Sequence, residues 1–379
     1  MAMTFFDGAE GLPKDVDARE SETPETGSPG AGSVVGSGET PAETPMAGSP
    51  VGFARVSATK AYEFEVEELL GRGAFATVHK GKLQGCGTPV AVKVIDKSNE
   101  NASCTIGPDG PRYRVILKAL AHPNVVNYYD IMEEETHAYV VMELCTGGDF
   151  FDFMCGLQTF TEADCANWVA QMLKGIQYIH SVGLAHRDVK PENLRWSHSG
   201  QGCTLKLVDF GLATTELKER ELTKLPVLGT TMYAAPEVLA GRYNMQCDTW
   251  GVGVALFLVV TGQLPWEFES GPHPMLGGGA VDLSSPAWKP VSMAGRRMVR
   301  ALLNPDPLKR PTATEALAMG WTGYRQPVAT VQDCATRQAS LNQARHLSCN
   351  AAARQQQFLS TNPADDEDAE AHDWFSSFA

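Results

Sequence analysis

Two short segments of the sequence concentrate side chains that can exchange a proton, balance negative charge and bind a metal ion. His-Arg-Asp-Val-Lys-Pro-Glu-Asn at residues 186–193 supplies a base, a cation and a metal ligand within eight residues. Asp-Phe-Gly at residues 209–211 adds a carboxylate sixteen residues after Asn193. Phosphoryl transfer needs these parts, because a carboxylate orients the acceptor hydroxyl, a lysine balances developing charge and magnesium bridges the phosphates. The spacing therefore predicts phosphoryl-transfer chemistry.

A glycine-containing segment earlier in the chain could hold the phosphates. Residues 70–78 read Leu-Gly-Arg-Gly-Ala-Phe-Ala-Thr-Val between two predicted strands, where glycines let backbone amides approach phosphate closely. Lys93 ends the motif Val-Ala-Val-Lys at residues 90–93, on a further predicted strand, and can reach the α- and β-phosphates. Each signal alone is weak. An ordinary hairpin explains the glycine segment equally well, and most lysines on strands are simply solvated. The order and spacing of all four segments predict a nucleotide site.

The elements that must position these residues form two regions of different texture. Four strands are predicted from alternating or apolar runs at 63–67, 78–83, 90–95 and 137–144. From residue 163 to 179, apolar side chains recur every three to four positions, which predicts a helix. Residues 250–260 form an apolar run of 11 residues, too short to span a bilayer, and predict a buried helix. A small strand-rich region thus precedes a larger helical one.

Net charge and cysteine usage exclude several classes of protein. The 379 residues carry a formal charge of −14, yet residues 1–50 hold 9 acidic and 2 basic side chains and residues 361–379 hold 6 acidic and none basic. The middle is nearly neutral, which disfavours direct nucleic-acid binding. Nine cysteines without a C-x-x-C pair disfavour a zinc ribbon or a disulfide framework. With no signal-peptide pattern at the start, we expect a soluble intracellular protein that does not bind membranes.

Both ends of the chain differ in composition from the middle. Residues 1–60 are rich in Gly, Pro, Ser, Thr and Glu, and residues 326–379 turn to Gln, Ala, Ser and Asn before an acidic run. Such segments bury too little apolar surface to offset the entropy of ordering, so we predict that both are disordered tails. The predicted folded domain spans residues 61–325.

Over roughly residues 62–324 the motifs resemble the eukaryotic protein kinase family. Ala-Pro-Glu at 235–237 closes the activation segment that opens at Asp209, and Arg310 lies where family members pair an arginine with the glutamate equivalent to Glu237. The resemblance implies an α+β, bilobal protein-kinase fold with a small antiparallel-sheet N-lobe and a larger helical C-lobe. It also implies ATP and Mg²⁺ as cofactors, protein substrates and a monomeric state. Lys190 follows the serine/threonine pattern of the family.

A finer resemblance is to the checkpoint kinase one family, within the calcium/calmodulin-dependent kinase group. It rests on the stretches 142–149, 211–214, 229–237, 264–267 and 287–289. This resemblance implies a role in DNA-damage or cell-cycle checkpoint signalling. It also implies a location in the nucleus, and we expect the cytoplasm as a second location.

The family resemblance implies a role for each matching residue. Asp188 would orient the substrate hydroxyl and accept its proton, while Lys190 would stabilise the transferring phosphoryl group, with Thr230 hydrogen-bonded nearby. Asn193 and Asp209 would hold Mg²⁺. The residues expected to contact ATP are Leu70, Gly71, Arg72, Gly73, Ala74, Val78, Ala91, Lys93, Glu143, Cys145, Asn193 and Asp209, with Met142 behind the pocket.

Two acidic residues predict the substrate preference. Asp149 and Glu192 match positions where relatives bind an arginine three residues before the acceptor, and paired carboxylates suit a guanidinium. We therefore expect arginine-directed specificity, although ribose binding or a solvated surface position explains Asp149 equally well. Arg-Gln-Ala-Ser at 337–340 and Arg-His-Leu-Ser at 345–348 fit the same preference. Autophosphorylation or pseudosubstrate inhibition by this tail is a hypothesis, with chance occurrence as the alternative.

Three residues depart from the family pattern near the nucleotide. Ala76 stands where relatives have the third glycine of the loop, and we expect this small side chain to be tolerated. Tyr113 aligns with the helix glutamate that pairs with the conserved lysine in relatives, and Glu100 or Asp109 could replace that partner. Arg195 stands where relatives place an apolar floor for adenine, and its stem could lie along the pocket with the guanidinium in solvent. Because of these departures, a catalytically impaired pseudokinase that acts as a scaffold or binding module stays open as the alternative.

Overall fold

The computed structural model describes residues 55–57, 63–72, 76–83, 86–98, 110–225, 227, 229–266, 280–324, 330–331, 337 and 339–345. All of them belong to the unit Phe53–Ala379. Most of the predicted N-terminal tail lies outside these residues. The exception is the strand at 55–57, so the sheet begins before the boundary at residue 61 that the composition suggested.

Six antiparallel strands form the first region, as the sequence pattern predicts. They are β1 (Arg55–Ser57), β2 (Glu63–Arg72), β3 (Ala76–Leu83), β4 (Pro89–Asp96), β5 (Tyr128–Glu133) and β6 (His137–Glu143). Their order in the sheet is β1-β2-β3-β4-β6-β5. Lys93 lies at the centre, paired with Val78 on β3 and Val140 on β6. Because β4 is hydrogen-bonded to a strand on each side, the backbone position of Lys93 is fixed.

One helix, α1 (Gly110–Ala119), joins the sheet on the chain path between β4 and β5. It is ten residues long and has a glycine and a proline as its first two residues. Tyr113 and Leu117, four residues apart, form its buried face, whereas Val115 on the opposite side is 68% exposed. Lys118 in the last turn donates to Asp130 Oδ1 on β5 at 2.7 Å, which ties the outer face to the sheet.

Helices dominate the second region. They are α2 (Phe150–Gly156), α3 (Glu162–Ser181), α4 (Pro236–Leu239), α5 (Gln246–Thr261), α6 (Met293–Leu302) and α7 (Ala313–Ala318). A capping box between Thr161 and Asp164 begins α3, the helix predicted from its period. Every residue of α5 except Thr261 is buried, which confirms the predicted buried helix. No helix in the described part of the chain has the length and apolar character needed to cross a membrane.

Three short strand pairs are described in the helical region, and one of them positions the two segments that carry the predicted catalytic residues. β7 (Phe160–Thr161) pairs with β12 (Thr330–Val331), and β10 (Thr223–Lys224) with β11 (Arg242–Tyr243). β8 (Leu194–Trp196) pairs with β9 (Leu205–Leu207), with Leu194 opposite Leu207. Directly beyond this pair, Val208 N donates to Asn193 O at 2.9 Å. The hairpin therefore brings the ends of the segments 186–193 and 209–211 side by side.

A buried ion pair fastens the end of the activation segment. Arg310 is completely buried and donates through Nη2 to Glu237 Oε2 at 2.9 Å, with a second contact between Nη1 and Oε1. The guanidinium also lies 4.8 Å from the ring centroid of Trp250 and donates to Gln246 O at 3.0 Å. The predicted structural pair between Arg310 and Glu237 is confirmed.

Part of the predicted C-terminal tail is folded. Residues 339–345 are helical, and Leu341 is completely buried. Arg337 is buried too and donates to Val259 O at 3.1 Å and to Met154 O at 2.9 Å. The expectation of a disordered tail is therefore wrong for these residues, because two arginines and an apolar face give this segment a surface to bury. The rest of 326–379 lies outside the described residues except Thr330–Val331.

Candidate active site

The carboxylate of Asp188 is surrounded by donors that fix its direction. Its Oδ2 accepts from Lys190 Nζ at 2.7 Å and from Asn193 Nδ2 at 2.8 Å. Its Oδ1 accepts from the backbone N–H of Thr230 at 3.1 Å, and Lys190 Nζ also donates to Thr230 Oγ1 at 2.6 Å. Four residues that the sequence analysis assigned to catalysis, metal binding or substrate therefore lie in one hydrogen-bonded group.

This surrounding also sets the protonation of the group. Burial opposes ionisation of Asp188, but the adjacent Lys190 ammonium outweighs it and lowers the pKa of the carboxyl. Burial likewise opposes the charged form of Lys190, and the Asp188 carboxylate outweighs it and raises the pKa of the ammonium. Near neutral pH the pair is thus a carboxylate beside an ammonium. A carboxylate can accept a proton from a hydroxyl, and a fixed ammonium can balance anionic charge.

A second buried carboxylate, Asp248, shapes the loop that carries Asp188. It accepts the backbone N–H groups of His186 and Arg187, each at 2.8 Å, and the His180 Nε2 atom lies 2.8 Å from its Oδ2. Arg187 has φ of 67°, a left-handed conformation that needs such support. Sequence reasoning missed this role. The signal was a carboxylate at the first turn of an otherwise apolar helix, where burial demands hydrogen-bond partners.

Lys93 and Asp209 form the second pair of charges in the cleft. Lys93 Nζ donates to Asp209 Oδ1 at 2.6 Å, and Gly211 N donates to the same oxygen at 3.3 Å. Desolvation works against ionisation of Asp209, but the Lys93 ammonium prevails and lowers the pKa of the carboxyl to about 2. The lysine on the central strand thus faces the carboxylate of the 209–211 motif directly.

Tyr113 has a contact that its sequence position did not suggest. Its side chain is 2% exposed, and its hydroxyl donates to the backbone carbonyl of Phe210. Tyr113 thus contacts the backbone beside Asp209 and does not pair with Lys93. The carboxylate partner of Lys93 is Asp209, because α1 contains no carboxylate. The replacements considered from sequence, Glu100 and Asp109, lie outside the described residues.

The cleft between the sheet and the helical region contains most of the residues expected to contact ATP. Those that line it are Leu70, Gly71, Val78, Ala91, Lys93, Glu143, Cys145, Asn193 and Asp209, together with Met142 and Glu192. Arg72 is exposed and does not line the cleft, because it lies at the end of β2, where the hairpin leaves the sheet. Gly73 and Ala74 lie outside the described residues. The other residues expected to contact adenine or phosphate line the same cavity.

Charged side chains sit behind the predicted adenine position. Glu143 Oε2 lies 3.0 Å from Lys206 Nζ and accepts from Asn127 Nδ2 at 3.0 Å. Sequence reasoning assigned only the backbone of Glu143 and missed this ion pair, since Lys206 gives no signal of its own on a short strand. Arg195 is half-buried along the cleft wall, and none of the carboxylates that the structure describes lies within 4 Å of its guanidinium.

Asp149 and Glu192, the acids expected to recognise arginine, each have a local partner. Asp149 begins α2 as its N-cap and accepts from Asp152 N at 2.8 Å. Desolvation raises the pKa of Asp149, because this half-buried carboxylate loses water. Glu192 Oε1 accepts from the Tyr233 hydroxyl at 3.3 Å. Asp149 thus has a structural task, helix capping, in addition to any task in recognition.

The donor set fits a magnesium ion. Asn193 uses its Nδ2 to bind Asp188, which leaves its carbonyl oxygen for a cation, and Asp209 supplies a carboxylate. Mg²⁺ in nucleotide sites takes one or two such protein oxygens and completes its shell with phosphates and water. No cluster of three or more His, Cys, Asp or Glu groups suited to a metal occurs among the described residues.

Comparison with known proteins gives the same picture. The protein kinase domain model matches residues 64–322. Calcium/calmodulin-dependent protein kinase type II of Caenorhabditis briggsae is 34% identical over 270 residues, which cover 70% of this chain and 50% of the relative. Calcium/calmodulin-dependent protein kinase type IV of Homo sapiens is 36% identical over 264 residues, 68% of this chain and 54% of the relative.

A CDPK-related protein kinase of Daucus carota is 36% identical over 279 residues, 71% of this chain and 45% of the relative. The chain thus spans about half the length of the curated relatives it matches. These similarities support the calcium/calmodulin-dependent group of serine/threonine kinases. With the two-lobed fold and the assembled cleft, they lead to one conclusion. The chain belongs to the protein kinase family, and its domain is that of a serine/threonine protein kinase, a family that uses ATP and Mg²⁺.

Proposed function

We propose that this chain is an active ATP-dependent protein kinase that phosphorylates serine or threonine in proteins and prefers an arginine before the acceptor. The observation that carries the activity is the bonded group of Asp188, Lys190, Asn193 and Thr230. All four residues are hydrogen-bonded within the group, and Asp188 and Lys190 carry the opposite charges that transfer requires.

The proposed roles follow from this geometry. Asp188 accepts the hydrogen of the substrate hydroxyl and orients it, while Lys190 balances charge on the transferring group. Asn193 and Asp209 hold Mg²⁺, which when bound neutralises phosphate charge. Lys93 binds the α- and β-phosphates, and the remaining residues of the cleft enclose the nucleotide. Substrate protein and ATP are the proposed partners.

The alternative, a pseudokinase scaffold, rested on Tyr113 and Arg195. One observation weighs against it: Lys93 has a carboxylate partner in Asp209 at 2.6 Å, although α1 supplies none. A protein that had lost catalysis would have no functional reason to retain three hydrogen-bond donors around the Asp188 carboxylate.

Phosphate transfer from ATP to a serine peptide tests the activity. We expect wild type to transfer phosphate and Asp188→Asn to lose roughly 10²- to 10⁴-fold in kcat, because the base is removed while the shape is kept. Lys93→Met should lose activity as well. A matched control is Lys80→Met, which removes a lysine of β3 in the same lobe, outside the lining of the cleft. Wild type no faster than Asp188→Asn would contradict the proposal.

The arginine preference has a physical basis in Asp149 and Glu192. A guanidinium between two carboxylates forms charge-assisted hydrogen bonds, worth about 1.5–3 kcal/mol each. Asp149 lies at the N-terminus of α2 and Glu192 on the cleft wall between Lys190 and Asn193. Both residues are half-buried.

Two peptides that differ only in arginine or alanine three residues before the serine test this preference. We expect wild type to favour the arginine peptide in kcat/KM by about tenfold or more. Asp149→Asn should reduce this ratio without unfolding α2, since asparagine caps helices as well as aspartate does. Asp130→Asn, on the small lobe, serves as control. An equal ratio in wild type and Asp149→Asn would assign Asp149 to capping alone.

A role in checkpoint signalling, with a nuclear or cytoplasmic location, stays a prediction from the resembling stretches. Of these, the segment 229–237 contains the Thr230 contact to Lys190 described above. Cells in which the kinase is inactivated by Asp188→Asn should then fail to arrest after DNA damage. Normal arrest would restrict the proposal to the biochemical activity.

A further inference from the structure

The backbone of Phe210 is contacted on both of its polar groups by tyrosine hydroxyls from the small lobe. Tyr113 on α1 donates its hydroxyl hydrogen to Phe210 O. Tyr128, the first residue of β5, accepts the hydrogen of Phe210 N at 3.3 Å. Ala213 N also donates to Phe210 O at 3.0 Å, within the local turn. Two hydroxyls from two different elements thus hold one peptide residue.

Burial makes these contacts specific. Tyr113 is 2% exposed, Tyr128 6% and Phe210 1%, so water does not compete for the same groups. Burial also raises the pKa of Tyr128 far above its usual range, which keeps its hydroxyl protonated. The rings of Tyr128 and Phe210 meet edge to face at 5.9 Å, and that of His186 meets Phe210 at 4.8 Å.

The residue before Phe210 needs such support. Asp209 has φ of 59°, a left-handed conformation that costs free energy for residues other than glycine, although aspartate adopts it more readily than most. In this backbone conformation its carboxylate lies 2.6 Å from Lys93. A grip on the neighbouring peptide of Phe210 therefore fixes the direction of the carboxylate without touching it.

We propose that Tyr113 is a positioning residue for phosphoryl transfer: with Tyr128, it holds the Phe210 peptide so that Asp209 stays directed at Lys93 and the metal site. α1 is thereby coupled to Asp209 through a hydroxyl and a backbone carbonyl, with no carboxylate on the helix. This inference rests on the proposed kinase activity and names what keeps that activity assembled.

The full chain with Tyr113→Phe, Tyr128→Phe and both changes tests the proposal. Each single variant loses one oxygen atom and keeps the ring, and the double variant loses two. The matched control is Tyr129→Phe, which removes a hydroxyl oxygen from the next residue of β5. Tyr129 packs against a separate apolar cluster of the sheet, formed by Val90, Val92, Met132, Tyr139 and Val141. Three quantities are measured: kcat with its Mg²⁺ dependence, KM for the peptide, and the melting temperature with and without Mg·ATP.

Tyr113→Phe should lower kcat, or raise the Mg²⁺ concentration for half-maximal rate, by about three- to tenfold, the usual effect of one buried hydrogen bond. The peptide KM should not change. The double variant should lose less than the product of the single losses, since either change already releases the same peptide. Tyr129→Phe should behave as wild type.

Two results would overturn the proposal. One is a Tyr113→Phe variant with wild-type kcat and Mg²⁺ dependence. The other is a loss of kcat matched by an equal loss of folded protein, which would assign Tyr113 to core packing. If wild type transferred no phosphate, the activity proposal would fail by itself. The Mg²⁺-dependent stabilisation by ATP would then decide on Tyr113, being smaller in Tyr113→Phe if the proposal holds and unchanged if it does not.

Discussion

Two groups on the wall of the nucleotide cleft have pKa values shifted in opposite directions, each by its own surroundings. Desolvation opposes the charge of Asp209, but the Lys93 ammonium lowers its pKa to about 2. Desolvation also acts on Cys145, and the nearby Glu143 carboxylate adds to it, which raises the pKa of the thiol to about 11. Asp209 thus stays ionised over the whole physiological range, whereas the Cys145 thiol stays neutral.

The reactivity of Cys145 should follow from this. A thiolate is the reactive form, so Cys145 should react slowly with iodoacetamide at pH 7–8 and increasingly fast as the pH approaches about 11. Cys86 is the internal control, because it is exposed and a hydrogen bond from Thr88 lowers the pKa of its thiol. Peptide mass spectrometry after timed alkylation should find Cys86 modified first. Equal rates at pH 7.5 would contradict the assignment.

At the scale of elements, two arginines hold the activation segment through contacts with protein groups. Arg187 donates to Leu212 O at 2.5 Å and to Tyr243 Oη at 3.2 Å. Arg220 donates to Arg310 O at 3.0 Å, to Leu308 O and to the Glu315 carboxylate. The segment is thereby fastened both to the catalytic loop and to the helical region beside α7.

We therefore expect phosphatase treatment to leave the activity unchanged. Arg220→Ala should reduce it several-fold and lower the free energy of unfolding by about 1–2 kcal/mol, because the two carbonyl contacts are lost while the exposed ion pair adds little. Arg300→Ala, at an exposed position in the last turn of α6, is the control. Peptide assays and urea unfolding measure both effects. Inactivation by phosphatase would show that a phosphate is needed after all.

At the scale of the molecule, the C-terminal segment closes the helical region. Arg337 is buried against backbone carbonyls from α2 and α5 and lies 4.7 Å from the ring centroid of Phe160. Arg345 pairs with Asp152 and lies 5.6 Å from the ring centroid of Phe151, in an exposed position. The arginines of the two sequence motifs that resemble phosphorylation sites thus both contact the helical region. Phosphorylation of the serines in these motifs stays a hypothesis.

Replacement of the two arginines should separate their effects. Arg337→Ala should lower the free energy of unfolding by about 2–4 kcal/mol, because buried carbonyls lose charged donors and a cavity forms. Arg345→Ala should lower it by at most about 1 kcal/mol, as exposed ion pairs do. Chemical denaturation of the full chain measures both. A larger effect of Arg345→Ala, or an unchanged melting temperature after truncation at Tyr324, would show that the segment does not dock in solution.

The sequence by itself determined the family, the two-lobed order of strands and helices, and the main members of the site. Local patterns carry this information: period two in β2, period 3.6 in α3, and the contiguous motif 186–193, whose residues are neighbours on the chain. The buried pair between Arg310 and Glu237 was also predictable, through resemblance to the family.

Only the tertiary structure decided which side chains complete the site. Lys93 pairs with Asp209 across 116 residues, and Tyr113 reaches Phe210 across 97. Such partners depend on how the sheet lies against the helical region, which no local pattern encodes. The same holds for Arg337, whose burial depends on a surface built by α2 and α5. Chemistry confined to one segment is readable from residue order, whereas contacts between distant segments form only when the hydrophobic cores bring them together.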